Sequence, residues 1–199
     1  MKIRNVAVLS ALAASVVSAQ AQTTVIARYD GGTDPQKAGY TVGILRPEVE
    51  VWDLLQNTPY HEYEVGRLHP IKAGKDISLL LGGYLSYFPG SQQVFVLPWG
   101  IADMHVANTH VHAELAYYQP LNGGTPVLWS NDCSLNRQLC KGVEGGMVTT
   151  FWWPRPGTVT YGVGPKISAD LGHRFYLNAR AILWGKQETQ YRIALARTL

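Results

Sequence analysis

Ligand-type side chains are concentrated in one short segment, where His110, His112 and Glu114 alternate with apolar residues. On a β-strand these three side chains would share one face, with neighbours about 6.5 Å apart. Asp103 and His105 would lie nearby if the preceding segment pairs with this one as a hairpin. Two histidines on a strand can bind zinc when a third ligand is close. The same groups also form networks of hydrogen bonds and ion pairs without any metal.

We interpret these side chains as a polar network that needs no cofactor. His110 and His112 remain candidate metal ligands. A hydrolase is the alternative, in which either histidine acts as a base for Ser78 or Ser168 beside a carboxylate. The chain contains no Gly-x-Ser-x-Gly motif that would support it. The sequence therefore predicts a non-catalytic protein, with a lipid-modifying or metal-dependent hydrolase as the alternative.

The chain has two cysteines, Cys133 and Cys140. In an exported protein, which folds in an oxidising compartment, this spacing predicts a disulfide that closes a short loop. A metal-binding pair is the alternative, but no further ligand lies at the spacing of a zinc finger.

The elements that must position these side chains are long, alternating strands, and the segment Thr158–Leu171 is the clearest of them. Its odd positions are apolar, whereas its even positions are Thr, Gly, Lys, Ser and Asp. One apolar and one polar or empty face is the pattern of a strand between two different environments. The segment exceeds an ordinary strand of about five or six residues and suits the roughly 9–11 residues that cross a bilayer.

Similar alternation predicts an all-β fold, a closed antiparallel up-and-down transmembrane β-barrel of 8–10 strands, over residues 22–199. The predicted strands are 23–30, 40–53, 61–68, 76–88, 93–106, 109–119, 143–153, 158–171, 174–184 and 188–199. The Arg46-Pro47 step predicts a bulge or a break in the second of these, because proline cannot donate to the ladder. Residues 120–142 are predicted to be irregular.

The polar faces of these strands predict a narrow, charged lumen. Its network is expected to consist of His110, His112, Glu114, Lys166, Asp170, Asn178, Arg180 and Arg192. Unpaired charges are costly away from water, so we expect ion pairs that fill the interior. A barrel of eight to ten strands would then be too narrow for an aqueous channel.

The first 21 residues predict a signal peptide that is separate from the barrel. Lys2 and Arg4 precede an apolar run, and Ala19-Gln20-Ala21 fits a cleavage site between small residues. A buried N-terminal helix is the alternative. The net charge of +3 is modest and no basic stripe is present, so nucleic acid is not an expected partner.

The C-terminal segment resembles the terminal strand of bacterial outer-membrane β-barrel proteins. Tyr191, Ile193, Leu195 and Leu199 occupy its alternating apolar positions, although the last residue is Leu rather than an aromatic residue and Arg197 interrupts the face. The Tyr161–Lys166 run also resembles strands of small barrels in this class. The resemblance implies location in the outer membrane, contact with lipid and recognition by the outer-membrane assembly machinery.

One other fold class and the role of the protein stay open. A soluble periplasmic sandwich or lipocalin-like barrel would show the same alternation with its apolar face turned inward. Within the membrane class, the expected role is structural, binding, or associated with small solutes or export, with an envelope complex as a candidate partner.

Overall fold

The computed structural model describes residues 22–185 and 188–199, apart from the side chain of Lys72. These residues form twelve strands and one 3-10 turn, Pro35–Lys37. The strands are β1 (Thr24–Gly32), β2 (Gly39–Leu45), β3 (Glu50–Gln56), β4 (Glu62–Lys72), β5 (Ile77–Phe88), β6 (Gln93–Val106), β7 (Thr109–Pro120), β8 (Val127–Cys140), β9 (Val143–Pro154), β10 (Thr160–Gly172), β11 (Phe175–Trp184) and β12 (Glu188–Thr198).

The strands form a closed barrel in which each strand pairs antiparallel with its neighbours in sequence. Closure is completed by β1 and β12, whose register runs from the Thr24–Thr198 pair to the Gly32–Gln190 pair. The prediction of a closed up-and-down antiparallel barrel is confirmed. Residues 1–21, where the signal peptide is predicted, lie outside the described residues.

The predicted number of strands, 8–10, was too low, and the ten predicted ranges lack two of the twelve observed strands. The chain reverses at residues 46–49, where the Arg46 N–H donates to the Val49 carbonyl over 2.9 Å. The segment predicted as one strand, 40–53, is therefore the hairpin of β2 and β3. The Arg46-Pro47 step is a break between strands rather than a bulge within one.

The second missing strand is β8, which lies in the segment predicted to be irregular. Its alternation is interrupted because the register with β7 and β9 shifts between Ser130 and Cys133. Before the shift along the chain, odd-numbered side chains such as Trp129 face inward. After it, even-numbered side chains such as Ser134 face inward. Asn and Asp are also poor strand formers, so the Asn131-Asp132 step conceals a strand from pattern analysis.

The outer face of the barrel is apolar. Ile167 is 45% exposed and Ile193 is 52% exposed, whereas Lys166 and Arg180 on the neighbouring inward positions are largely buried. A soluble sandwich or barrel would have the reverse arrangement. No helix in the described ranges is both long and apolar enough to span a membrane.

The two ends of the barrel differ. Residues 46–49, 73–76, 107–108, 141–142 and 173–174 make short turns at the end that holds Thr24 and Thr198, which we call the terminal end. The opposite, loop end has connections of up to six residues, such as 121–126. Short periplasmic turns and longer extracellular loops are typical of outer-membrane barrels.

Exterior tyrosines lie toward the loop end and form a partial belt. Its exposed members lie on β2, β4, β5, β10 and β12 and include Tyr40, Tyr63, Tyr87, Tyr161 and Tyr191. Tyrosines are enriched where a membrane meets water, because the ring is apolar and the hydroxyl is polar. Other aromatic residues near strand ends, including Phe88, Tyr118 and Trp184, line the interior cavity instead.

The predicted disulfide between Cys133 and Cys140 is wrong, because both cysteines are free. They lie on the same strand, β8, where seven residues extend over roughly 23 Å. A disulfide requires Cα atoms about 4.4–6.8 Å apart. The prediction depended on an irregular loop between the cysteines, and that loop is a strand.

Labelling with a thiol reagent tests directly whether the two cysteines are free. After unfolding in urea without reductant, we expect a maleimide reagent to label both cysteines, and Cys140, which is exposed, to be labelled first in the folded barrel. Mass spectrometry of the labelled chain measures this. A chain that takes up label only after reduction would contradict it, and the Cys140→Ser variant identifies the site.

A lipid-facing exterior also leads to a prediction about the stability of the barrel. Ile193→Arg places a charge on the lipid face near the middle of β12, and we expect it to destabilise the barrel by about 2–4 kcal/mol. Ser91→Arg, in the exposed turn between β5 and β6, serves as the control and should change little. Urea unfolding in lipid vesicles, followed by tryptophan fluorescence, measures both. An unchanged midpoint for Ile193→Arg would argue against a lipid-facing exterior.

Candidate functional site

The interior of the barrel contains a cavity of about 1080 Å³. Lys37, Tyr60 and Glu188, which line it, lie at the loop end, so the cavity opens there. Its deeper wall includes Glu114 and Arg180. We call this space the chamber.

The basic wall of the chamber comes from Arg28, Arg180 and Arg192 on the adjoining strands β1, β11 and β12. Asp30 accepts a hydrogen bond from the Arg28 Nε over 2.5 Å and a second one from Arg192. Asn131 bridges the other pair, because its Oδ1 accepts from both Arg180 and Arg192 at 2.7 and 2.6 Å.

Asn131 and Asp132 reach these cations because of the register shift in β8. Both line the chamber although they are consecutive residues, which a regular strand would not allow. Asp132 accepts from the Lys166 ammonium at 2.6 Å and from Arg180 at 3.4 Å. The bulge thus supplies two acceptors to a cluster of four cations.

Carboxyl groups line another part of the wall. Glu62 and Glu64 lie on β4, three strands away from β1 around the twelve-stranded ring. Ser86 donates to Glu62, and the Tyr118 hydroxyl donates to Glu64 over 3.3 Å. Between the two walls, Glu114 is buried and neither of its carboxylate oxygens has a hydrogen-bond partner among the described residues. The chamber therefore presents guanidinium groups and carboxyl groups on different parts of its wall.

Indole and phenol rings cover much of the remaining wall. Trp99 and Tyr118 lie 5.9 and 6.0 Å from Trp129, with nearly perpendicular rings. Trp52 packs over Gly43, where an added Cβ would lie 2.4 Å from its ring. The Nε1 donors of Trp52 and Trp99 have no partner in the described part of the chain.

The interior below the chamber, toward the terminal end, is filled by side chains, and we call this region the terminal plug. Its members Ile26, Ile101, Ala196, Asp103 and Asn136 are each at most 3% exposed. His110 and His112 belong to it and contact the same atom, Asp103 Oδ1, each over 2.8 Å. Among the described residues, neither histidine hydrogen-bonds to Ser78 or Ser168, the serines considered for a hydrolase.

The structure divides seven of the eight predicted network residues between these two regions. Glu114, Arg180 and Arg192 line the chamber, together with Asn178, whose amide donates to Ser168. His110, His112 and Lys166 lie deeper. Asp170 is not among them, because it is exposed at the end of β10 and accepts from the Gly172 backbone N–H.

Several chamber residues were missed from the sequence. They are Arg28, Asp30, Glu62, Glu64, Asn131, Asp132 and the tryptophans Trp52, Trp99 and Trp129. A signal for two of them was present, because Ile26, Arg28 and Asp30 alternate along β1 in the same way as the residues of longer strands. Asn131 and Asp132 had no such signal, since the bulge breaks their alternation.

Lys37 marks the rim of the chamber, outside the strands. Its ammonium contacts both Glu188 carboxylate oxygens at 2.8 Å and joins the first connection to β12. Partial burial acts to lower the pKa of Lys37, but the hydrogen bonds and the charge of Glu188 outweigh it and raise the pKa above its usual value.

Together, a closed barrel, an apolar exterior and a polar interior define an outer-membrane β-barrel, the class and location predicted from the sequence. Two solved structures share its fold. A KdgM porin in complex with disordered oligogalacturonate has a TM-score of 0.62 at 14% identity, over 89% of this chain and 99% of that one. A second structure, of a KdgM porin, has a TM-score of 0.62 at 13% identity, over 89% of this chain and 99% of that one.

At this level of identity the likeness shows a common fold and a porin-like barrel architecture. No protein-family model matches the chain. No curated protein matches it significantly.

The basic wall makes a prediction about stability. Asp30→Asn removes the charge that holds Arg28 and Arg192, and we expect a loss of about 3–5 kcal/mol, because breaking a buried ion pair leaves an uncompensated charge. Asp76→Asn, at an exposed position, should stay within about 0.5 kcal/mol of the parent protein. Urea unfolding in vesicles measures both, and equal midpoints would argue against a structural role for Asp30.

Proposed function

We propose that this barrel is a porin-like outer-membrane protein that admits short carbohydrate chains, including acidic ones, into its chamber. The observation that carries the proposal is the pairing of an arginine wall with a set of tryptophan and tyrosine rings in one open cavity of about 1080 Å³. Cavities of roughly 300–1000 Å³ suit ligands of small-molecule size.

The aromatic wall supports the carbohydrate part of the proposal. Sugar rings have apolar faces, so flat indole rings suit them. Trp52, Trp99 and Trp129 line the chamber and offer such rings.

The basic wall supports acceptance of acidic sugars. Guanidinium groups bind carboxylates through parallel hydrogen bonds, and three of them lie on adjoining strands. Asp30, Asp132 and Asn131 hold them in place, and the two aspartates reduce their net charge. Glu62 and Glu64 lie on a different part of the wall, so a carboxylate would be favoured near the arginines. The oligogalacturonate of the structural neighbour, a chain of acidic sugars, is consistent with this arrangement.

The terminal plug limits the rate of passage. A solute that enters from the loop end reaches a floor of packed side chains, so complete transfer requires these side chains to move aside. We therefore expect slow permeation and low single-channel conductance compared with porins of 16–18 strands, which enclose an open channel.

Efflux from preloaded vesicles tests the proposal with two solutes of similar size, trigalacturonate and maltotriose. We expect both to leave vesicles that contain the barrel faster than protein-free vesicles, and trigalacturonate to be preferred. Arg192→Gln should reduce that preference several-fold, because it removes a guanidinium from the chamber. Arg137→Gln, at an exposed position on β8 outside the chamber, is the matched control. Efflux equal to that of protein-free vesicles, with no change in tryptophan fluorescence on adding either sugar, would overturn the proposal.

A further inference from the structure

We propose that Asp103, His110 and His112 form a binding site for one divalent transition-metal ion, of which zinc is the probe of choice, in the terminal plug. The site is separate from the chamber, because none of these three residues lines that cavity. The proposal therefore does not depend on which solute the barrel admits.

The three ligand atoms already surround a common point. Asp103 Oδ1 lies 2.8 Å from His110 Nε2 and 2.8 Å from His112 Nδ1, and all three atoms lie within 4.8 Å of one another. In a tetrahedral site with bonds of about 2.0–2.1 Å, ligand atoms are about 3.3 Å apart. Each of the two Asp103–histidine distances would have to widen by about half an ångström to reach that spacing. Two imidazoles and one carboxylate are a donor set that zinc uses in proteins.

Backbone pairing fixes this geometry. Asp103 of β6 and His112 of β7 are register partners, and His110 lies two residues from His112 on the same face. The turn at residues 107–108 joins these strands close by, so the three side chains belong to one hairpin. Asp103 and His112 are buried, at 2% and 5% exposure, which restricts their freedom before any ion binds.

A second observation points to a ligand role for His110. Its other ring nitrogen, Nδ1, lies 3.1 Å from a Glu144 carboxylate oxygen on β9. Histidines that bind metals characteristically donate their remote N–H to a carboxylate, which fixes the ring orientation and raises its basicity. With neutral imidazoles, Asp103 and Glu144 contribute two negative charges, which match a divalent cation. Lys166, the cation on nearby β10, is already held by Asp132 and Ser134.

Neighbouring residues provide both access and a further oxygen. His105 is exposed and stacks on His110 with ring centroids 4.3 Å apart, so the site reaches solvent at the terminal end. Asn136, the register partner of His110 on β8, is buried, and its Oδ1 has no partner among the described residues. Water or a neighbouring side chain would complete four-coordination.

The test uses the full barrel, purified without a histidine tag, stripped with a chelator and kept folded in detergent. We expect calorimetric titration with zinc to give one equivalent per chain, and cobalt to give the intense visible absorption of a tetrahedral site. His110→Ala and His112→Ala should each weaken zinc binding at least tenfold. His61→Ala is the matched control, because His61 also contacts a carboxylate, Asp53 at 2.7 Å, but lies at the loop end without a second histidine.

Heat-modifiable migration on a gel establishes that each variant is a closed barrel. If either alanine variant fails to close, Asp103→Asn keeps an oxygen acceptor but removes a charge, and it should lower zinc affinity with the barrel intact. Failure of the parent protein to bind zinc, or binding of equal strength in the parent, His112→Ala and Asp103→Asn, would overturn the site and leave a hydrogen-bonded network only. Sugar efflux plays no part in these measurements, so this result and that of the efflux experiment are independent.

Discussion

The structure depends on the satisfaction of every backbone hydrogen bond without help from solvent. Hydrocarbon offers no donors or acceptors, so a sheet that spans a membrane must have no free edge. Pairing of β1 with β12 removes the last edge, even though these strands lie at opposite ends of the sequence. The apolar exterior, the antiparallel order and the tight turns at the terminal end all follow from that closure.

Closure also determines where polar side chains can go. Because one face of every strand contacts lipid, the charged side chains lie inside the barrel, where they need hydrogen-bond or ion-pair partners. Asp30 and Asn131 meet this need by contacting two arginines each. The same crowding explains why the interior divides in two. Small and aliphatic residues such as Ala196 and Ile26 allow close packing at the terminal end, whereas arginines and indole rings hold the walls apart at the loop end.

The barrel could be predicted from the sequence wherever alternation was long and regular. In β10 and β11 it identified which face meets lipid, and it placed His110, His112 and Glu114 on a common inward face. Prediction failed where local features broke the period. The Arg46-Pro47 step was compatible with either a bulge or a turn, and only the pairing of β2 with β3 distinguishes them. Contacts such as that of Asp132 with Lys166 join residues 34 positions apart, so they depend on the register around the ring, which no single strand contains.

The bulge in β8 has a consequence for how such a chain can diverge. Odd-numbered side chains face the interior before the bulge, and even-numbered side chains face it after the bulge. The strand therefore contains one change of phase. Loss of a single codon at residues 131–132 would remove the extra residue and give the strand one uniform phase, with Trp129, Ser134 and Asn136 still facing the interior. Only one of the two consecutive acceptors, Asn131 and Asp132, could then reach the arginines and Lys166. The extra residue is therefore dispensable for the pairing of the strands but not for the partners of the buried cations.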